Sequence, residues 1–124
     1  MTRRSMSTVL AILGLIATSA ACAAPATSVQ IEVSFLLGYV EGSGCEFQRN
    51  GSWYSSPQAQ AHLRDKFKYL AARDLIQTTE QFIEKAASES SLSGTAYMVR
   101  CNGGPTMTSS QWLRNELARL RKLQ

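Results

Sequence analysis

Histidine occurs once in these 124 residues, and cysteine and proline three times each. One imidazole and widely spaced thiols are too few for a metal site, since zinc alone takes about four protein ligands in a structural centre and three in a catalytic one. Lysines and arginines are interspersed with acids and form no block, which excludes the electrostatic footprint of a nucleic-acid binder. The longest apolar run, Val9 to Ala21, falls short of the ~20 residues that cross a membrane. No internal repeat or linker divides the chain, and no cofactor is expected.

What is present begins with an export pattern. Arg3 and Arg4 precede the short apolar run, and Ala21-Cys22-Ala23 fits a small-x-small cleavage site. Residues 1–23 therefore read as a cleaved signal peptide, 24–124 as one small domain, and the destination as the periplasm. An alternative makes Cys22 the first mature residue of a lipoprotein, anchored through its acyl groups. Ser19-Ala20-Ala21 supplies the small residues for this, but without the leucine usual three places ahead of the cysteine. Removing Arg3 and Arg4 lowers the formal charge from +4 to +2, eleven basic against nine acidic residues. Either fate of Cys22 leaves Cys45 and Cys101, a pair expected to form a disulfide in an oxidising compartment.

The chain from Ala24 reads in order as follows. Val29, Val33, Leu36, Leu37 and Val40 recur at helical steps, and Gly42-Ser43-Gly44 ends that helix near Glu41. Asn50-Gly51, between Phe47-Gln48-Arg49 and Ser52-Trp53-Tyr54, predicts a tight hairpin. Ser56 is expected to cap a second helix with Pro57 at its first position, and Ala59, Leu63, Phe67 and Leu70 form its apolar stripe. Thr78 with Gln81 has capping-box spacing for a third helix, facing inward through Phe82, Ile83, Ala86 and Ala87. Ala96 to Cys101 alternates like a strand, Asn102-Gly103-Gly104-Pro105 is a turn, and Thr108 or Ser109 caps a last helix carrying Trp112, Leu113, Leu117 and Leu120. The expected fold is α+β, a three-stranded antiparallel sheet packed by about four helices in the order α-β-β-α-α-β-α.

Four blocks carry a resemblance: Phe47 to Gly51, Ala61 to Lys66, Thr79 to Ile83, and Ala87 to Tyr97. Together they resemble a family of small exported proteobacterial proteins catalogued as domain of unknown function 5329. The resemblance implies residence in a Gram-negative periplasm and assigns no activity.

His62 is the sole candidate for acid–base work near neutral pH. Lys66, one helical turn on, is expected to depress its pKa, and no spacing enforces contact with a carboxylate or nucleophile. The cluster of Ser88, Ser90 and Ser91 lacks a Gly-x-Ser-x-Gly setting. No catalytic residue is therefore assigned. A non-catalytic envelope module, binding another protein or a cell-wall or small anionic ligand, is the preferred reading. The alternative is a small hydrolase or transferase with His62 as general base. The face expected to bind consists of Arg49, His62, Lys66, Ser88, Ser90, Ser91 and Tyr97. Structural roles stand beside these: His62 bonding a hairpin carbonyl, Lys66 lying along the core edge, and the serines finishing a helix. Trp53 and Tyr54 must point to opposite sheet faces, which leaves one of them a plausible partner contact.

Overall fold

A computed structural model describes residues 10–16 and 24–124. The expected cleavage site, Cys22, Arg3 and Arg4 lie outside the described residues. Residues 10–16 form no helix or strand. No helix among the described residues is long and apolar enough to cross a membrane.

Asn50 and Gly51 both adopt positive φ, 50° and 80°, and so close a two-residue turn whose twist matches the flanking strands. The turn joins β1 (Glu46–Arg49) to β2 (Ser52–Ser55), with Phe47 opposite Tyr54 and Arg49 opposite Ser52. Because opposed residues share a face, Phe47, Arg49 and Tyr54 point together to one side. Gln48 and Trp53 point to the other.

Helix α1 (Thr27–Gly42) precedes the hairpin and buries Val29, Val33, Leu36, Leu37 and Val40, as its periodicity demands. Helix α2 (Ser56–Ala71) follows the hairpin without a break. Its cap is Ser55, not Ser56: Ser55 and Gln58 form a reciprocal capping box, which moves Pro57 to the second helical position. Ser56 is used elsewhere, its buried hydroxyl donating to the Cys45 carbonyl at 2.6 Å. Helix α3 (Thr79–Ala86) is capped by Thr78, while Gln81 reaches past the cap residue to accept from the Gln77 N–H at 2.7 Å.

The sheet has four strands, one more than expected. β3 (Met98–Arg100) pairs antiparallel with β1, and β4 (Met107–Thr108) pairs antiparallel with β3, giving the order β2-β1-β3-β4. Two residues cannot display alternation, so β4 is invisible as a pattern and exists through its partner. The α+β class is as expected. Thr108 ends β4 and caps α4 (Ser109–Lys122), accepting from the Gln111 N–H at 3.2 Å. Cys45 and Cys101 are bridged, one position beyond the Glu46–Arg100 pair that ends the β1–β3 ladder.

Phe82, Leu36, Ile76, Ile83, Leu113, Val33, Val40 and Val99 are the largest apolar side chains sealed in the core. Trp112 stacks on Tyr39 and meets Phe47 edge-on, fixing α4 against α1 and the sheet. On the opposite sheet face, Arg100 lies 3.7 Å from the Trp53 ring centroid.

Candidate functional site

The hairpin delivers Arg49 and Tyr54 towards α2, and α2 presents His62 and Lys66 one turn apart. Tyr97, immediately before β3, supplies the fourth group. It is buried, and its backbone is held on both sides: its N–H donates to the Ser88 carbonyl and its carbonyl accepts from the Ser109 N–H, both at 2.9 Å.

These groups form one hydrogen-bonded cluster. Arg49 Nη1 lies 2.8 Å from His62 Nδ1 and 3.1 Å from Nε2, while His62 Nε2 lies 3.1 Å from Tyr97 Oη. Lys66 Nζ donates to Tyr97 Oη at 3.1 Å and to the Glu89 carbonyl at 3.0 Å. A guanidinium can only donate, so the ring nitrogen that meets Arg49 accepts, Nδ1 in one neutral tautomer and Nε2 in the other. In the tautomer protonated at Nε2 the ring N–H donates to Tyr97 Oη. That oxygen then receives both the imidazole N–H and the ammonium, and its own hydrogen is left to donate elsewhere.

The electrostatics agree with a neutral ring. Burial pushes His62 below the ordinary imidazole value, and Arg49 and then Lys66 push it further, against a smaller opposing pull from Asp65. Burial also lowers Lys66, with Glu89 opposing and Arg49 assisting. Burial raises Tyr97, so its phenol keeps its proton, although Arg49 acts in the other direction. Neither Arg49 nor Lys66 joins an ion pair among the described residues.

Beside the cluster, between the hairpin and α2, is a cavity of about 400 Å³. Phe47, Ala59, Leu63 and the ring of Tyr54 give its apolar wall; Arg49, His62, Asp65 and the phenols of Tyr54 and Tyr97 are the ionisable groups that line it, and Gln48, Gln58 and Ser109 add neutral polar groups. Lys66 does not line the cavity and reaches the cluster through its hydrogen bond to Tyr97 Oη. The serines lie farther away. Ser88 donates to the Ile83 carbonyl at 2.6 Å, and Ser90 accepts from Asn50 Nδ2 at 3.2 Å and from the Leu92 N–H at 3.3 Å. Ser91 is exposed, and neither it, Ser88 nor Ser90 lines the cavity. His62 bonds side chains and not the hairpin carbonyl considered above.

Sequence reasoning left out Phe47 and Asp65 as lining groups and gave Asn50 no role beyond its turn. The turn residues held the missing information: a two-residue loop fixes Phe47 opposite Tyr54 and places Arg49 on the same face. Asn50 also ties the turn to the serine loop, accepting from Ser93 Oγ at 2.5 Å while donating to Ser90.

Among the described residues no carboxylate or serine hydroxyl lies within hydrogen-bond distance of His62, and no group of three histidine, cysteine or acidic residues could hold a metal. An imidazole base without an orienting acid or a nucleophile is incomplete for acyl or glycosyl transfer. The arrangement is better equipped to donate hydrogen bonds than to move protons.

Known proteins place this chain among relatives of equally open function. The uncharacterized protein YfeK of Salmonella typhimurium strain LT2 is 45% identical over 51 residues, a stretch that makes up 41% of each protein. No solved structure matches. A family model described as "Family of unknown function (DUF5329)" matches residues 27–121, from the start of α1 almost to the end of α4. The chain belongs to that family.

Proposed function

We propose that this is an exported, non-catalytic binding protein of the bacterial envelope that holds a small anion at Arg49, His62 and Tyr97. One observation carries the reading. Arg49 and the Tyr97 hydroxyl keep donors to spare beside His62 and Lys66, and among the described residues no carboxylate pairs with Arg49 or Lys66. Charge-assisted hydrogen bonds to an anion would use that surplus and are about twice as strong as neutral ones. Export is supported by Arg3, Arg4 and the apolar run with its small-residue cleavage pattern, and the Cys45–Cys101 bridge suits an oxidising compartment. A periplasmic location follows from that reading.

His62 is the sole histidine, so its ring protons give an unambiguous magnetic-resonance probe. Titrating the purified protein with acetate should move the Cε1–H resonance and raise the His62 pKa, because an anion beside the ring offsets Arg49 and Lys66. Arg49→Gln should abolish the acetate response while the far-ultraviolet spectrum is unchanged. A His62 pKa indifferent to acetate in the unmodified protein would rule the anion site out.

A further inference from the structure

The cavity beside Arg49 is larger than a bare anion needs. Water occupies about 30 Å³ per molecule in the liquid, so ~400 Å³ has room for roughly a dozen non-hydrogen groups. The larger part of its exposed wall is apolar, made by Phe47, Ala59, Leu63 and the ring of Tyr54, while Gln48, Gln58 and Ser109 add polar groups at its edges. Water against that apolar part has few partners, and an apolar body would displace it favourably.

The charge on the wall is also restrictive. Arg49 is the one permanent cation lining the cavity, and Asp65 lines it with the opposite sign. Lys66 adds its field with its ammonium 5.0 Å from the Tyr97 ring centroid. A single negative charge is matched by Arg49, whereas a dianion would meet Asp65 with its second charge uncompensated. Two coplanar oxygens also fit the parallel N–H groups of a guanidinium, and the hydroxyl of Tyr97 can donate to either.

We infer that the ligand is an amphiphilic monocarboxylate, its carboxylate held by Arg49 and Tyr97 and its apolar body of about ten atoms lying against Phe47, Tyr54, Ala59 and Leu63. This rests on the anion reading above and adds the ligand's charge and shape. Arg49 lines the cavity, and its guanidinium has N–H groups beyond the Nη1 that meets His62. The body then covers the aromatic wall provided by the two hairpin strands. The groups whose charge bears on the bound state are Arg49 from β1, Tyr54 from β2, His62, Asp65 and Lys66 from α2, and Tyr97 ahead of β3.

The decisive experiment compares four probes on the purified protein by calorimetry, with the His62 resonance followed in parallel. The probes are 3-phenylpropionate, its neutral analogue 3-phenylpropan-1-ol, acetate and inorganic phosphate. Each buried methylene contributes roughly fourfold in affinity, so 3-phenylpropionate should bind at least about a hundredfold more tightly than acetate. It should exceed the alcohol by roughly tenfold, the difference between a charged and a neutral hydrogen-bond acceptor. Ala61→Leu, which enlarges a side chain on the cavity wall, should remove the advantage over acetate while acetate still moves His62. Equal affinity for 3-phenylpropionate and acetate would overturn the amphiphile and leave the anion site standing. Tighter binding of phosphate would overturn the monocarboxylate in the same way. An alcohol as good as the carboxylate, or no response to any probe, would overturn the anion site and this inference together.

Discussion

His62 shows how one residue can be read correctly in kind and incompletely in partner. Its place beside the apolar stripe of α2, and the depressing effect of Lys66, follow from helical spacing. Arg49 as its nearest partner does not, because that contact joins residues thirteen apart through a turn and a cap. The consequence for stability has a definite sign. The folded pKa lies below the ordinary value of 6.5, so on acidification the unfolded chain takes up this proton first. Stability should therefore fall as pH drops below 6.5 and level off once the folded ring is itself protonated. Denaturant midpoints measured between pH 8 and pH 5 should trace that step. His62→Gln should flatten it, since glutamine can accept from Arg49 and donate to Tyr97 without titrating.

At the scale of elements, legibility tracked how local the cause was. Helix stripes, the Asn50-Gly51 turn and the Thr78 cap rest on residues within a few positions of each other, and each is found where periodicity put it. β4 was missed because two residues acquire strand geometry only from β3, and the Ser55 cap because two adjacent serines compete and only Cys45 decides between them. The cavity is less legible still, since it needs the hairpin face and α2 at once. One inter-element device had no sequence signature at all: Arg121 at the end of α4 binds Glu32 of α1 at 3.0 Å and Glu80 of α3, with Thr79 donating to Glu32 at 2.6 Å. Arg121 holds both carboxyls below the usual carboxylate range, with help from Thr79 at Glu32. Their folded pKa values are depressed from 4.5, so this contribution is present above pH 4.5 and is lost as pH falls through the folded values. Glu32 is only 14% exposed, whereas Arg121 and Glu80 are near 43–44%, which puts the network between surface and buried pairs. Arg121→Met should cost about 1–2 kcal/mol at neutral pH, above a surface pair and below a broken buried one. The same variant should lose much less than the native protein on going from pH 5 to pH 3, and thermal denaturation at both values checks it.

The molecule as a whole is held across one seam. The β1–β2 hairpin and the β3–β4 pair are each local, and only the β1–β3 ladder joins them into a single sheet. Around this seam the chain places its long-range ties: the Glu46–Arg100 ion pair at 3.0 Å, the Asn50 bridge to Ser90 and Ser93, and the Cys45–Cys101 disulfide at a separation of 56 residues. The ion pair is well exposed and contributes little, roughly 0.2–1 kcal/mol. The disulfide acts differently, because it restricts the unfolded chain; closing a loop of this length is worth roughly 4 kcal/mol in the chain-entropy model. That is a large share of the ~5–15 kcal/mol that holds a domain of this size together. A Cys45→Ser, Cys101→Ser double variant should therefore unfold at markedly lower urea concentration. Its denaturant slope should also be steeper, since an unfolded chain freed of the cross-link expands and exposes more surface. A lower midpoint with an unchanged slope would instead locate the effect in the folded sheet. Because the bridge lies at the opposite end of β1 from Arg49, the His62 response to acetate should survive in the variant under native conditions, which separates the staple from the site.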